Sequence, residues 1–227
     1  MNKEKFKPKI KKILVCGFGI NDADYRTQWY VDGKRKRCPY YARWHMMLNR
    51  SYSPKFHALQ PNYIDVNVSE EWRYFSKFKT WMETQDWEGL TLDKDILFPG
   101  NKIYGPDTCA FVPQGVNLLL TDRLGLRGEY PLGVSYQQKS SDMVNELKRP
   151  FSAAICRGDG RAKGLGRYAT PMEAHKAWQL GKSTAIQVAI NNYAQHPYFN
   201  TKVADALMNR AWKLLLDREL GLETKQL

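Results

Sequence analysis

The sequence predicts an α+β protein: an N-terminal αβ block leading into a ββα unit, then a small three-stranded sheet plus helix, and a C-terminal helix. Three observations carry that prediction. Apolar residues recur at helical spacing in some stretches and alternate at period two in short ones between them. Glycine and proline clusters such as Pro99-Gly100 and Gly105-Pro106 punctuate the boundaries. The chain has 227 residues, 43% hydrophobic and 26% charged. That is a globular composition with enough length to bury about 70% of the unfolded surface.

Taken in order, residues 1–37 form a basic arm and a hairpin. The arm carries Lys3, Lys5, Lys7, Lys9, Lys11 and Lys12. Ile13–Cys16 reads as a short strand, and Asp32-Gly33 as the turn of a strand–turn–strand that ends in Lys34, Arg35, Lys36 and Arg37. Residues 38–127 form the next domain. Tyr41–Tyr52 is a helix with Trp44, Met47, Leu48 and Tyr52 on one face. Tyr63–Val68 alternates as a strand, and Glu70–Met82 is a helix with Trp72, Phe75, Phe78 and Met82 inward. Such an aromatic face is core rather than a base-stacking platform. Gly89–Asp95 and Cys109–Val112 are strands around the loop Phe98–Asp107, and Pro113 opens a helix to about Leu124.

Residues 128–227 form the last domain, after the linker Gly128–Pro131. Leu132–Tyr136, Phe151–Cys156 and Gly164–Tyr168 are its strands. Thr170-Pro171-Met172-Glu173 is a helix start with a cap, a first-turn proline and a capping-box glutamate. Ala174, Ala177, Trp178, Gly181, Ala185 and Val188 then line one face, small enough for the helix to lie close to a sheet. Asn200 or Thr201 caps the last helix, with Val203, Leu207, Ala211 and Leu214 on one stripe.

Lys+Arg 35 against Asp+Glu 23 leaves a net charge of +12. This excess points to a polyanionic partner, duplex DNA first and an acidic protein second. No apolar run reaches the roughly 18 residues of a membrane helix. No secretory cleavage pattern follows the lysine-rich start, so an intracellular, cytoplasmic setting is expected. Cys16, Cys38, Cys109 and Cys156 form no C-x-x-C pair and are expected to stay reduced, without disulfides.

Leu92-Asp93-Lys94-Asp95, Gly100-Asn101, Pro106–Val112 and Asn117 together resemble the HNH nuclease family. Upstream, Trp44, Met47, Arg50 and Tyr52, then Glu71-Trp72 with Phe75, Phe78 and Trp81, resemble the segment preceding that unit in bacteriophage HNH proteins. The resemblance covers about residues 38–117. It implies a ββα-metal fold in which Asp93 and Asn117 hold Mg²⁺ or Mn²⁺, a hard cation that takes oxygen ligands and stabilises a phosphate under attack. The family's general-base histidine is replaced by Lys94, and its middle asparagine by Thr108. A lysine has a reference pKa of about 10.4 and is protonated at neutral pH. The resemblance then implies a weakly activated water, with Lys94 in an unusual state, a borrowed histidine such as His57, or bulk hydroxide as its base, and Lys94 could instead hold a phosphate as a point charge.

Tyr130, Gly133-Val134, Phe151–Ile155, Leu165-Gly166, Tyr168, Glu173-Ala174 and Ala177 resemble the AP2 domain, whose three-stranded sheet reads the DNA major groove. That resemblance covers about residues 130–190. It places Ser135, Gln137 and Ser152 near base edges, and Lys139, Lys148, Arg149, Arg157, Arg161, Lys163 and Arg167 near phosphates. The expected function is double-stranded DNA binding by a phage-type HNH–AP2 protein, with weakened metal-dependent phosphodiester cleavage. The alternative is a nuclease-derived DNA-binding protein without cleavage, acting as a regulator or an inhibitor.

Overall fold

A computed structural model describes residues 14–120, 129–137, 148–159 and 161–227. The basic arm, the helix end beyond Leu120 and Lys139 lie outside the described residues. The chain is mixed helix and strand, as an α+β class requires. It divides into two compact units. The first runs to Gln85 and also takes in Lys102–Asp107, while the second comprises Asp86–Asn101 and Thr108–Leu227.

In the first unit, β1 (Gln28–Val31) and β2 (Lys34–Arg37) form an antiparallel ribbon. Asp32 and Gly33 turn it with φ of 48° and 71°. Two successive positive φ values belong to the tight hairpin turn whose twist matches the strands. Helix α1 (Pro39–Tyr52) follows. Its Trp44, Met47 and Leu48 are buried with Trp72, Phe75, Phe78 and Met82, so the aromatic face is core. Trp44 Nε1 donates to the Trp72 carbonyl at 2.7 Å, which satisfies the indole inside that core.

Several expected elements are shorter or broken. Pro54 opens a second helix, α2 (Pro54–Leu59), capped by Ser53. Proline suits a first helical position because its missing N–H has no helical partner there. The expected strand Tyr63–Val68 reduces to β3 (Asn67–Val68) after a 3₁₀ turn at Pro61–Tyr63. The expected helix Glu70–Met82 is a 3₁₀ turn, Glu71–Arg73, then α3 (Phe75–Glu83), because Tyr74 is extended at ψ 126°. Val15 makes a single bridge to Gly19 where a strand was expected.

In the second unit, β4 (Thr91–Asp93) pairs antiparallel with β6 (Ala110–Val112), and α4 (Gln114–Leu120) follows. The intervening loop is not wholly irregular. It carries β5 (Ile103–Tyr104), which runs parallel to β3 and belongs to the first unit.

Next come β7 (Val134–Tyr136), β8 (Phe151–Cys156) and β9 (Ala162–Tyr168), an antiparallel sheet in the order β7-β8-β9. Helix α5 (Pro171–Tyr193) packs on the sheet and on α6 (Thr201–Leu220). The expected capping box is present: Glu173 N donates to Thr170 Oγ1 at 3.2 Å, and Thr170 N to Glu173 Oε2 at 3.3 Å.

Because α5 lies between sheet and helix it has two buried faces, not one. His175, Gln179, Lys182 and Ser183 are buried on it, while Val188, expected inward, is 53% exposed. The core joins Ile96, Val112, Val116 and Leu119 to Leu132, Val134, Ala153, Trp178 and Leu207. It therefore draws on residues from both sides of the boundary expected at 127/128. A fragment starting near Gly128 would lack part of its own interior.

A polar network ties the C-terminal tail into this unit. Thr224 N donates to His175 Nε2 at 3.0 Å and Thr224 Oγ1 to Asp217 Oδ2 at 2.7 Å, where Lys213 Nζ also binds at 2.7 Å. Burial pushes the Asp217 carboxyl up, but Lys213 and Thr224 outweigh it and hold it below its ordinary value. A carboxyl lowered on folding stabilises above the unfolded value, about 3.9, and that contribution is lost as pH falls through the folded value. Asp93 works in the opposite sense, since burial raises its carboxyl. Asp217→Asn is thus expected to lower the urea midpoint at pH 6, with the gap to the parent protein closing towards pH 3. A gap independent of pH would contradict this account.

Candidate nucleic-acid interface and the Asp93 turn

The exposed face of the sheet follows from strand alternation. Val134, Ala153 and Ile155 point into the core, so Ser135 and Ser152 point away from α5. Register places Ser135 opposite Ser152, and Ser152 opposite Arg167. The two hydroxyls lie 2.9 Å apart, and Arg167 Nη2 donates to the Gln137 side-chain carbonyl. Four residues expected from sequence to touch DNA are thus brought into one row across three strands.

The rest of the face is low. Ala154 stands opposite Gly164, and a side chain at Gly164 would meet nothing within 4 Å. Charged residues surround it. Lys148 and Arg149 are exposed where the chain enters β8, whereas Lys163, expected to meet phosphate here, stands opposite the inward Ile155 and is exposed on the helix side of β9. Arg157 and Arg161 close the β8–β9 turn, where Arg157 pairs with Asp159 at 3.5 Å and Arg161 N donates to Asp159 Oδ1 at 2.9 Å. Lys34, Arg35, Lys36 and Arg37 are on β2 in the first unit.

The candidate metal and catalytic residues are arranged differently. Asp93 ends β4, and its Oδ1 accepts the backbone N–H groups of Asp95 and Ile96 at 2.7 Å each. It thereby closes its own turn. Lys94 is buried, 8% exposed. Its Nζ donates to the Asp95 carboxylate and to the Asn101 carbonyl, the latter at 2.8 Å. Asn101 Nδ2 returns a bond to the Lys94 carbonyl at 2.8 Å. Both of these partners are acceptors, so the nitrogen donates to each.

A residue that sequence reasoning missed completes the turn. Arg210 of α6 is buried and donates to the carbonyls of Ile96 at 2.6 Å, Asp95 at 2.6 Å and Ala206 at 2.9 Å. Burial lowers its pKa, while Asp93 and Asp95 raise it. One signal was available: Arg210 falls between Leu207 and Leu214 on the buried stripe, where an arginine must have buried partners.

Asn117 is half-buried on α4. His57 belongs to the first unit, where its Nε2 lies 2.9 Å from the Arg50 carbonyl and therefore carries the proton. Among the described residues, no group of three or more His, Cys, Asp or Glu is placed to hold a metal ion.

The donor set suits a divalent ion poorly. The best carboxylate oxygen already serves two amides, and Arg210 supplies positive charge beside it. A cavity of about 260 Å³ is lined by Val116, Ala185, Ala189, Tyr193, Arg157 and His196, and includes none of the Asp93 turn. Cys16, Cys38, Cys109 and Cys156 form no disulfide. No helix among the described residues is long and apolar enough to cross a membrane. Comparison with protein-family models, curated proteins and solved structures finds nothing that matches this chain.

Proposed function

We propose that the protein binds duplex DNA through the solvent face of the β7-β8-β9 sheet, and that the Asp93 turn is a structural brace rather than a centre of cleavage. The carrying observation is the row Ser135–Ser152–Arg167 with Gln137, bordered by exposed basic residues. Three strands spaced about 4.8 Å apart put the outer strand axes roughly 10 Å apart, so the face can be laid against a major groove about 12 Å wide and present its row to the base edges. Small residues at Ala154 and Gly164 allow the groove floor to approach closely. The serine hydroxyls, the Gln137 amide and the Arg167 fork supply donors and acceptors for base edges, and the surrounding cations supply phosphate contacts.

This is the HNH–AP2 reading with its catalytic half reduced. Lys94 and Arg210 spend their donors on carboxylate and carbonyl acceptors, which favours a chain that keeps the ββα framework for stability. Regulation or inhibition by occupying DNA fits such a protein.

The test is duplex binding by the full chain, followed by fluorescence anisotropy, alongside supercoiled plasmid with and without Mg²⁺ or Mn²⁺. Arg167→Ala is expected to weaken binding by about tenfold to a hundredfold, the worth of a good arginine–base contact. Plasmid should remain supercoiled. Unchanged affinity in Arg167→Ala would remove the sheet from the interface. Efficient nicking abolished by Asp93→Ala would restore the nuclease reading, with Asp93 and Asn117 as metal ligands.

A further inference from the structure

The β1–β2 ribbon buries little. Tyr30 is 63% exposed, Val31 44% and Trp29 36%, and Lys34, Arg35 and Lys36 are exposed beside them. An isolated two-stranded hairpin is marginal in water unless something holds it. Here its base is held. Cys38 N donates to the Thr27 carbonyl at 2.9 Å, Asn21 Nδ2 donates to Thr27 Oγ1 at 3.1 Å, and α1 begins at Pro39. The ribbon is thus a tethered projection that adds almost nothing to the core.

Its two faces carry different chemistry. Trp29 stands opposite Lys36 and Val31 opposite Lys34, while Tyr30 stands opposite Arg35 and Gln28 opposite Arg37. On the second face both guanidinium groups are already ordered. Arg37 Nε donates to Gln28 Oε1 at 3.2 Å, and Arg35 donates twice to the Tyr30 hydroxyl, at 3.3 and 3.2 Å. The Arg35 guanidinium also lies 5.8 Å from the centre of the Tyr30 ring. Cations fixed in this way lose less freedom on meeting a phosphate. Asp32, at the turn, is the one acidic residue from Arg26 to Arg37.

We infer that this ribbon is a second, sequence-independent contact to duplex DNA, with Lys34, Arg35, Lys36 and Arg37 neutralising backbone phosphates along a groove. The inference rests on the DNA-binding reading above and deepens it by assigning the first unit a share of the interface. A two-stranded ribbon is one of the elements a major groove admits. Four cations without a base-reading partner suit phosphates, which position a protein without specifying sequence.

The experiment uses the full chain and a short mixed-sequence duplex, with affinity measured from about 50 to 200 mM salt. Each phosphate contact contributes about 0.9 to the slope of log affinity against log salt, so replacing all four basic residues by alanine should flatten it by about 3 to 4. Over that salt range the parent protein would then lose about a hundredfold more affinity than the variant. Arg167→Ala should weaken binding but flatten the slope by about one at most. The melting temperature of each variant checks the fold. If the quadruple variant unfolds, Lys34→Ala/Lys36→Ala and Arg35→Ala/Arg37→Ala are each expected to flatten the slope by about 2.

An unchanged slope in the folded quadruple variant, with Arg167→Ala still weakened, overturns the ribbon and leaves the sheet reading intact. A parent protein with no salt-dependent duplex binding overturns both. Displacement from duplex by polyglutamate at equal charge, seen with the parent protein and lost in the quadruple variant, also overturns the ribbon inference, by assigning the ribbon to an acidic protein. Equal flattening with duplex RNA and DNA supports the phosphate contact, and preference for RNA overturns DNA as its partner.

Discussion

Arg210→Met is expected to lower the unfolding free energy by about 3–5 kcal/mol, read from urea denaturation. Methionine keeps length and apolar contact but removes every donor. The carbonyls of Ile96 and Asp95 then lose the 2.6 Å bonds they accept, and both lie against a buried side chain. A buried acceptor left without a partner costs about 1–3 kcal/mol, and breaking a buried charge arrangement adds to that. Asp93 and Asp95 also lose the cation beside them. Arg210→Lys preserves the charge, but an ammonium lacks the planar fork that spans two carbonyls. It should recover less than half of the loss. A change under about 1 kcal/mol in Arg210→Met, the range of an exposed pair, would show that the turn does not depend on α6.

The second large effect is expected at Gly133, the glycine that precedes Val134 in the sheet's first strand. Its φ is +75°, a conformation costing an L-residue about 1–2 kcal/mol. A Cβ there would stand 1.7 Å from Trp178 Cδ1, inside the indole. Trp178 is 4% exposed and stacked on His175 with ring centroids 5.3 Å apart, so it has little room to retreat. Overpacking of this kind costs about 1–3 kcal/mol on top of the backbone strain. Gly133→Ala should therefore lower the melting temperature by roughly 4–20 °C, at about 2–4 °C per kcal/mol for a chain of this size. Gly164→Ala is the control, because its Cβ would meet open space. It should shift the midpoint by no more than about 2 °C. Equal effects at the two positions would mean that the Trp178 contact is not what demands glycine.

Gly133 also shows what was legible from sequence. Its place in a Gly-Val pair was readable as a motif, but the tryptophan that excludes a side chain lies in another element. The same division runs through the molecule. The Thr170–Glu173 capping box, the Asp32-Gly33 turn and the α1 face depend on neighbours within a few residues, and each appears as read. The short β4, the parallel β3–β5 pair and the exposed Val188 depend on partners far along the chain.

The candidate interface divides in the same way. Alternation and register were enough to bring Ser135, Ser152 and Arg167 together. The Asp93 turn was not readable, because its meaning depends on where Lys94 points and on Arg210, 114 residues from Ile96. A resemblance in residue types locates a strand end and a helix. It does not say whether the carboxylate there faces an ion or its own backbone.

The chain enters the second unit at Asp86, leaves it for Lys102–Asp107 and returns at Thr108. This path sets an order of assembly during synthesis. The first unit has all of its chain once Asp107 has emerged. Thr91–Asp93 must wait for Ala110–Val112, and the turn after it waits for Arg210, 114 residues beyond Ile96. Contacts so distant in sequence are slow to close. The strand end that carries Asp93 is thus among the first parts of its unit to be made and the last to be fixed. An uninterrupted stretch of the gene long enough for all of one unit would also carry a segment of the other.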